Sequence, residues 1–251
     1  MVLEQEDWQP ASKSGLHLAF RPIHDVVGGR VFAYEALLRG PDGEEGDEIV
    51  AQLPPEQHAE LDRRIAAAAV YRAMDAGLGS TPARLLIPIY SPAAASAQAS
   101  LAAANEAGRR TGLVPERLIF GIHGFADLHG QHLADLVEGH RRAGSTTAFI
   151  GLGHDPVGYT PCVRYRPPMV RLDPDLVNGI ESSWSRRLML EELVPRLRDL
   201  GIRVIADGVE RETVLQRLRS LGIFHVQGQL VAPPMPGVLP PTRIVRPAAA
   251  A

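Results

Sequence analysis

Cysteine is nearly absent. Cys162 is the single one in 251 residues, which excludes an intrachain disulfide framework and a zinc site built on several thiolates, and fits a reducing cytoplasm. No run of about 18 consecutive apolar residues occurs, so no membrane-spanning helix is expected. The start, MVLEQEDWQPASKSG, lacks the basic and apolar regions of a signal peptide. An excess of charge of one sign is missing too: the formal net charge is −3, and without a basic stripe a general nucleic-acid binder is disfavoured. Arg63-Arg64, Arg109-Arg110 and Arg186-Arg187 read as solvated helix faces. No linker and no internal repeat interrupts the chain.

What is present is a globular composition, 45% hydrophobic and 22% charged. Residues 1–15 read as a polar leader, 16–240 as one domain and 241–251 as an Ala-rich tail. Leu16–His24 and Gly29–Leu38 predict two strands joined by a glycine turn. A short helix is expected over Ile49–Leu53 and a long amphipathic one over Glu56–Ala76. Strand and helix patterns then alternate. Strands are expected at Arg84–Tyr90, Arg117–His123, Thr146–Gly151, Val170–Leu172, Arg203–Ala206 and Val226–Val231. Helices are expected at Pro92–Gly112, Asp127–Ala143, Ser185–Leu200 and Arg211–Leu221. Strands separated by helices of this length imply parallel crossovers and closure into an α/β barrel, whose chemistry sits where strands end.

One strand end carries an unusual group. In VFAYEALLRG, residues 31–40, alternation places Glu35 late in an apolar strand, where a carboxylate is costly to bury unless a cation or hydrogen-bond donor meets it. This run resembles the signature of the EAL domain, a family of barrel proteins that bind or hydrolyse cyclic di-GMP. The segment VIADGVERETVLQRLRSLGIFHVQGQLVAPPMP is similar to the family's AEGVE strand end, following helix and closing QG…PMP stretch. The likeness runs in order over about residues 16–236 and implies a (β/α)8 TIM-like barrel with a modified first strand.

Active members of the family resemble two-metal hydrolases, in which strand-end carboxylates and an asparagine hold magnesium or manganese. Against that pattern this chain retains Glu35, a shortened carboxylate at Asp207, and Gln227. The asparagine position falls in LLIPIYSP, where Pro88 and Ile89 offer no amide oxygen. The Glu-x-Thr-Glu segment reads Gly121-Ile122-His123-Gly124, and the paired-aspartate loop reads Gly153-His154-Asp155-Pro156. Arg171 stands for the family lysine, ahead of Asp173, and cannot accept a proton as an amine can. These departures imply loss of hydrolysis and no cofactor, with magnesium or manganese required only if the chain is active.

Ligand binding could outlast catalysis, because it needs groups for phosphate and guanine: Arg39, Arg21, Glu35, Asp173 and Gln227 are the candidates. The competing reading is a buried charge network of Glu35, Asp207, Arg21, Arg39 and Arg171 that fills the barrel mouth. A third possibility places a transition metal on His123 and His154 with Asp155 or Asp207; the alternative is that these histidines, with His225, are polar loop residues. Three functions follow, of which an active cyclic di-GMP phosphodiesterase is the least favoured. One is an inactive regulatory module in the bacterial cytoplasm that acts by binding an unidentified regulatory protein. Another is a metal-independent receptor for cyclic di-GMP or a related nucleotide. A homodimer is compatible with either. Trp8, Trp184 and the proline-rich Pro233–Pro247 are candidates for a partner surface or for packing on the barrel.

Overall fold

A computed structural model of the protein describes residues 17–91, 94–125, 131–153 and 159–243. The chain opens with an antiparallel hairpin, β1 (His17–Asp25) and β2 (Arg30–Arg39), in which Arg21 pairs with Glu35 and Phe20 with Ala36. Asp25 ties the turn: its Oδ1 accepts the amides of Val27 and Gly28 at 3.1 and 2.8 Å. Gly29 adopts a φ of 62°, a left-handed conformation that costs glycine little.

Six more strands follow, all parallel to β2: β3 (Arg84–Ile89), β4 (Leu118–Ile122), β5 (Thr146–Leu152), β6 (Met169–Leu172), β7 (Arg203–Ala206) and β8 (His225–Val226). Because β1 pairs antiparallel with both β2 and β8, the sheet closes into an eight-stranded barrel whose first strand is reversed. The helices are α1 (Gly46–Ala51), α2 (Pro55–Asp75), α3 (Ala94–Thr111), α4 (Gln131–Arg142), α5 (Tyr159–Tyr165), α6 (Pro174–Asn178), α7 (Trp184–Asp199) and α8 (Glu212–Ser220). The expected α/β barrel of EAL type is therefore the observed fold. No helix among the described residues is long and apolar enough to cross a membrane.

Strand alternation builds two cores. Outward positions such as Phe20, Leu85, Ile87, Phe120 and Phe149 pack under the helices. Inward positions Ile23, Ala33, Leu86, Ile119, Ala148, Ile150, Met169 and Ile205 fill the middle of the barrel. Gly121 belongs to that inner layer: a Cβ there would stand 3.0 Å from Leu86 and 3.1 Å from Ile150. On α2 the buried stripe Asp62, Ile65, Ala66, Ala69 and Ala73 follows helical spacing.

Three segments depart from the sequence reading. The last barrel strand stops at Val226 rather than Val231. Gly228 takes a φ of 143°, and a Cβ on it would lie 2.3 Å from the Val209 backbone, so the chain turns there against the loop after β7. Helices α5 and α6 were outside the pattern because each spans two turns or fewer, too short to show periodicity. The described part of the proline-rich stretch, residues 233–243, packs onto the barrel, one of its two expected roles: β9 (Met235–Pro236) pairs with Ala19 and Phe20 of β1, the Tyr34 hydroxyl donates to the Pro240 carbonyl at 3.3 Å, and the Arg243 amide donates to the Val231 carbonyl at 2.8 Å. Trp8 lies outside the described residues.

Candidate functional site

Glu35 sits inside the C-terminal mouth of the barrel, 1% exposed. Its position follows from β2 register, since it pairs with Arg21 on one side and Leu86 on the other. Asp207 comes directly after β7, Arg171 lies on β6 beside Ile205, and Gln227 follows β8 with its amide bonded to the Ala206 carbonyl at 2.9 Å. Five side chains from five consecutive places around the wall thus converge.

They meet as a charge-matched cluster. Arg21 donates through Nη2 to Glu35 at 3.0 Å and to Asp207 at 2.9 Å. Arg171 pairs with the other Glu35 oxygen, and its Nε lies 3.6 Å from Asp207. Gln227 donates to Glu35 at 2.9 Å, and the Gly208 amide to Asp207 at 2.6 Å. Burial works against the Glu35 charge, but Arg171 and Arg21, helped by the hydrogen bonds from Arg21 and Gln227, hold its carboxyl well below the usual carboxylate range. Burial likewise opposes the Arg21 cation, and Asp207 and Glu35 outweigh it. Two guanidinium groups meet two carboxylates, so each buried charge has a partner, the condition under which such charges are tolerated away from water.

Two of the candidate ligand-binding residues stand apart. Arg39 reaches away from the cluster to Glu45 at 3.2 Å and to its own neighbour's carbonyl, Leu38, at 3.0 Å; the expected charge network therefore forms without it. Arg39 shares the parity of Glu35 but is the last residue of β2, four positions further on, where it bridges to Glu45 in the chain that leaves the strand. Asp173 caps α6, its Oδ1 accepting the Asp175 amide at 2.8 Å.

The described candidates, His123 and His225, do not gather. His123 follows β4, with Nδ1 3.4 Å from Asp47 and its ring against Tyr90 at 4.8 Å. His225 lies at the opposite end of the barrel, against Phe32. His154 and Asp155 fall outside the described residues, and among the described residues no group of three His, Cys, Asp or Glu is placed to hold a metal ion.

Magnesium or manganese, which the family pattern implies, does not suit the described donors. Both Glu35 oxygens already accept from cations or Gln227, Asp207 is shared between Arg21 and Gly208, and β3 and β4 present Pro88, Ile89 and Ile122 near their ends. A hard divalent ion needs several free oxygen ligands. Here the guanidinium groups hold those oxygens.

Sequence reasoning missed Asp62. It is fully buried on α2 and accepts the amides of Tyr90 and Ser91 at 3.0 and 2.7 Å, fixing the chain where β3 leaves the barrel. Its signal was available as a carboxylate on the buried helical stripe, four residues before Ala66. Tyr90, which it positions, stands over the mouth beside Asp47 and His123.

The family model of the EAL domain matches residues 5–234. This chain belongs to the EAL domain family. Its fold is close to that of BlrP1 from Klebsiella pneumoniae, solved with calcium and cyclic di-GMP, at a TM-score of 0.80 and 24% identity over 91% of this chain and 58% of that one. A standalone EAL protein from Vibrio cholerae O395, solved in a c-di-GMP-bound form, matches at a TM-score of 0.79 and 22% identity over 93% and 98% of the two chains. Among curated proteins, the blue light- and temperature-regulated antirepressor BluF of Escherichia coli is 25% identical over 221 residues, 86% of this chain and 53% of its own. The chain thus spans about half the length of that curated relative.

Proposed function

We propose that this EAL domain is a regulatory module of bacterial cyclic di-GMP signalling that does not hydrolyse the nucleotide and acts in the cytoplasm by binding another protein. The observation that carries the reading is the occupancy of the two surviving carboxylates. Glu35 and Asp207 are held by Arg21 and Arg171, and displacing those cations in favour of a metal would leave two arginines buried without counter-charges, a cost of several kcal/mol. The exposed apolar residues of α7 suit a protein partner: Trp184 is 72% and Met189 45% exposed, with Leu188 beside them. The antirepressor title of BluF is in keeping with such a role.

A second reading, a metal-independent receptor for cyclic di-GMP, draws on Arg39 at the rim and on three buried polar atoms that make no hydrogen bond, Arg21 Nε, Arg171 Nε and Gln227 Oε1. Two donors and an acceptor facing one mouth can serve a nucleotide as well as a plug. Calorimetric titration with cyclic di-GMP, first in manganese and then in chelator, followed by analysis of the nucleotide, separates the two. The regulatory module predicts no saturable heat and intact nucleotide. Saturable binding that survives chelator makes the protein a receptor, and metal-dependent cleavage overturns both readings.

A further inference from the structure

The opposite, N-terminal mouth of the barrel holds a second group of arginines. Arg84 opens β3 and Arg203 opens β7, and each has the inward parity of Leu86 and Ile205, two residues on. Both guanidinium groups lie over the ring of Phe32, with their central carbons 5.7 and 5.0 Å from its centroid. His225 meets the same ring edge-on at 4.6 Å, and Arg84 donates to the Thr146 hydroxyl at 3.5 Å.

No carboxylate among the described residues pairs with either arginine. The two cations are near enough that Arg203, after burial, is the charge that disfavours protonated Arg84. Asp25, which pairs with His225 across β1 and β8, has its Oδ1 bonded to the Val27 and Gly28 amides, and its negative charge acts on His225 rather than pairing with either arginine. Arg203 is exposed and Arg84 half-buried, so a solute can approach.

We propose that this mouth is a ligand site for a phosphate group, in which Arg84 and Arg203, stacked on Phe32, supply the two positive charges and Thr146 and His225 line the remaining wall. A guanidinium held over an aromatic face does not spend its N–H groups on the ring and keeps them free to donate. Two such edges suit a tetrahedral oxyanion better than a single carboxylate does. A phosphate monoester carries close to two negative charges at neutral pH, so it matches the pair of cations and relieves their mutual repulsion, whereas one carboxylate leaves a net positive charge. In α/β barrels chemistry belongs to the other face, so the expected consequence of binding is stabilisation or control rather than turnover.

The test is calorimetric titration of the full chain with inorganic phosphate and, separately, with glycerol 3-phosphate, at pH 7.5 and constant ionic strength set with chloride. The same titrations are made on Arg84→Gln, Arg203→Gln and Arg39→Gln, with circular dichroism to confirm folding. Each lost charge-assisted pair at the proposed site should weaken binding at least about tenfold. Binding of phosphate alone identifies the free ion as the ligand; equal or tighter binding of the monoester identifies a phosphorylated metabolite, and both support the site. Absence of binding to either, binding in Arg203→Gln and Arg84→Gln as tight as in the parent, or loss only in Arg39→Gln overturns it.

Discussion

The two mouths of the barrel each present two inward arginines, and they differ in what answers them. At the C-terminal mouth Arg21 and Arg171 are met by Glu35 and Asp207; at the N-terminal mouth Arg84 and Arg203 lean on the face of Phe32. Burial explains the contrast. Glu35 and Asp207 are 1% and 3% exposed and Arg171 8%, and at that depth an unpaired charge costs several kcal/mol, so each must have a counter-charge. Arg203 keeps contact with water, where hydration and a ring face suffice.

The comparison can be broken most severely at the buried end. Arg171→Met leaves Glu35 and Asp207 sharing one arginine, and should cost about 3–5 kcal/mol in urea unfolding. Adding Glu35→Gln should recover at least about 1 kcal/mol of that loss, because the pair then disappears together. Additive losses instead would mean that the cluster is not electrostatically coupled.

Acid should act next, through two histidines, buried His140 between α4 and the barrel wall and half-buried His225 at the N-terminal mouth. Burial pushes His140 down to about 4, and burial followed by the nearby Arg203 does the same to His225, to about 4. Both stay neutral in the folded chain while the unfolded chain takes up protons below about 6.5. Stability from these groups is therefore full above that pH and falls as pH drops, by about 1.4 kcal/mol per unit for His140. Glu35, with its depressed value, keeps its contribution until pH falls below the ordinary glutamate range. Urea midpoints should thus decline between pH 6.5 and 5, and His140→Leu should reduce the change in that window by about 2 kcal/mol. An unchanged slope would place the acid sensitivity elsewhere. The smallest effect belongs to Arg203→Met, expected within about 0.5 kcal/mol of the parent in urea; a loss as large as that of Arg171→Met would erase the distinction between the mouths.

Much of this was legible in the sequence. The strand and helix periods of residues 84–221 show the barrel, because one buried face per element leaves a repeat that hydropathy records. VFAYEALLRG shows Glu35 as an inward carboxylate, and the ADGVE and QG runs place Asp207 and Gln227 at strand ends. What failed was local. β8 ends early because Gly228 passes against the Val209 backbone, a close approach between segments about twenty residues apart. Asp62 escaped notice because its role is to hold amides of Tyr90 and Ser91, 28 and 29 residues away.

By itself, then, the sequence determined which residues line the barrel and the parity of each position, since both follow from the period of a strand. Only the tertiary structure decided the partners. Arg21 could have turned to solvent and Arg39 inward, and which of them meets Glu35 depends on the register of β1 on β2 and on the level at which β6 and β7 deliver Arg171 and Asp207. Charge pairing across a closed sheet is set by stagger between strands, and no single strand carries that information.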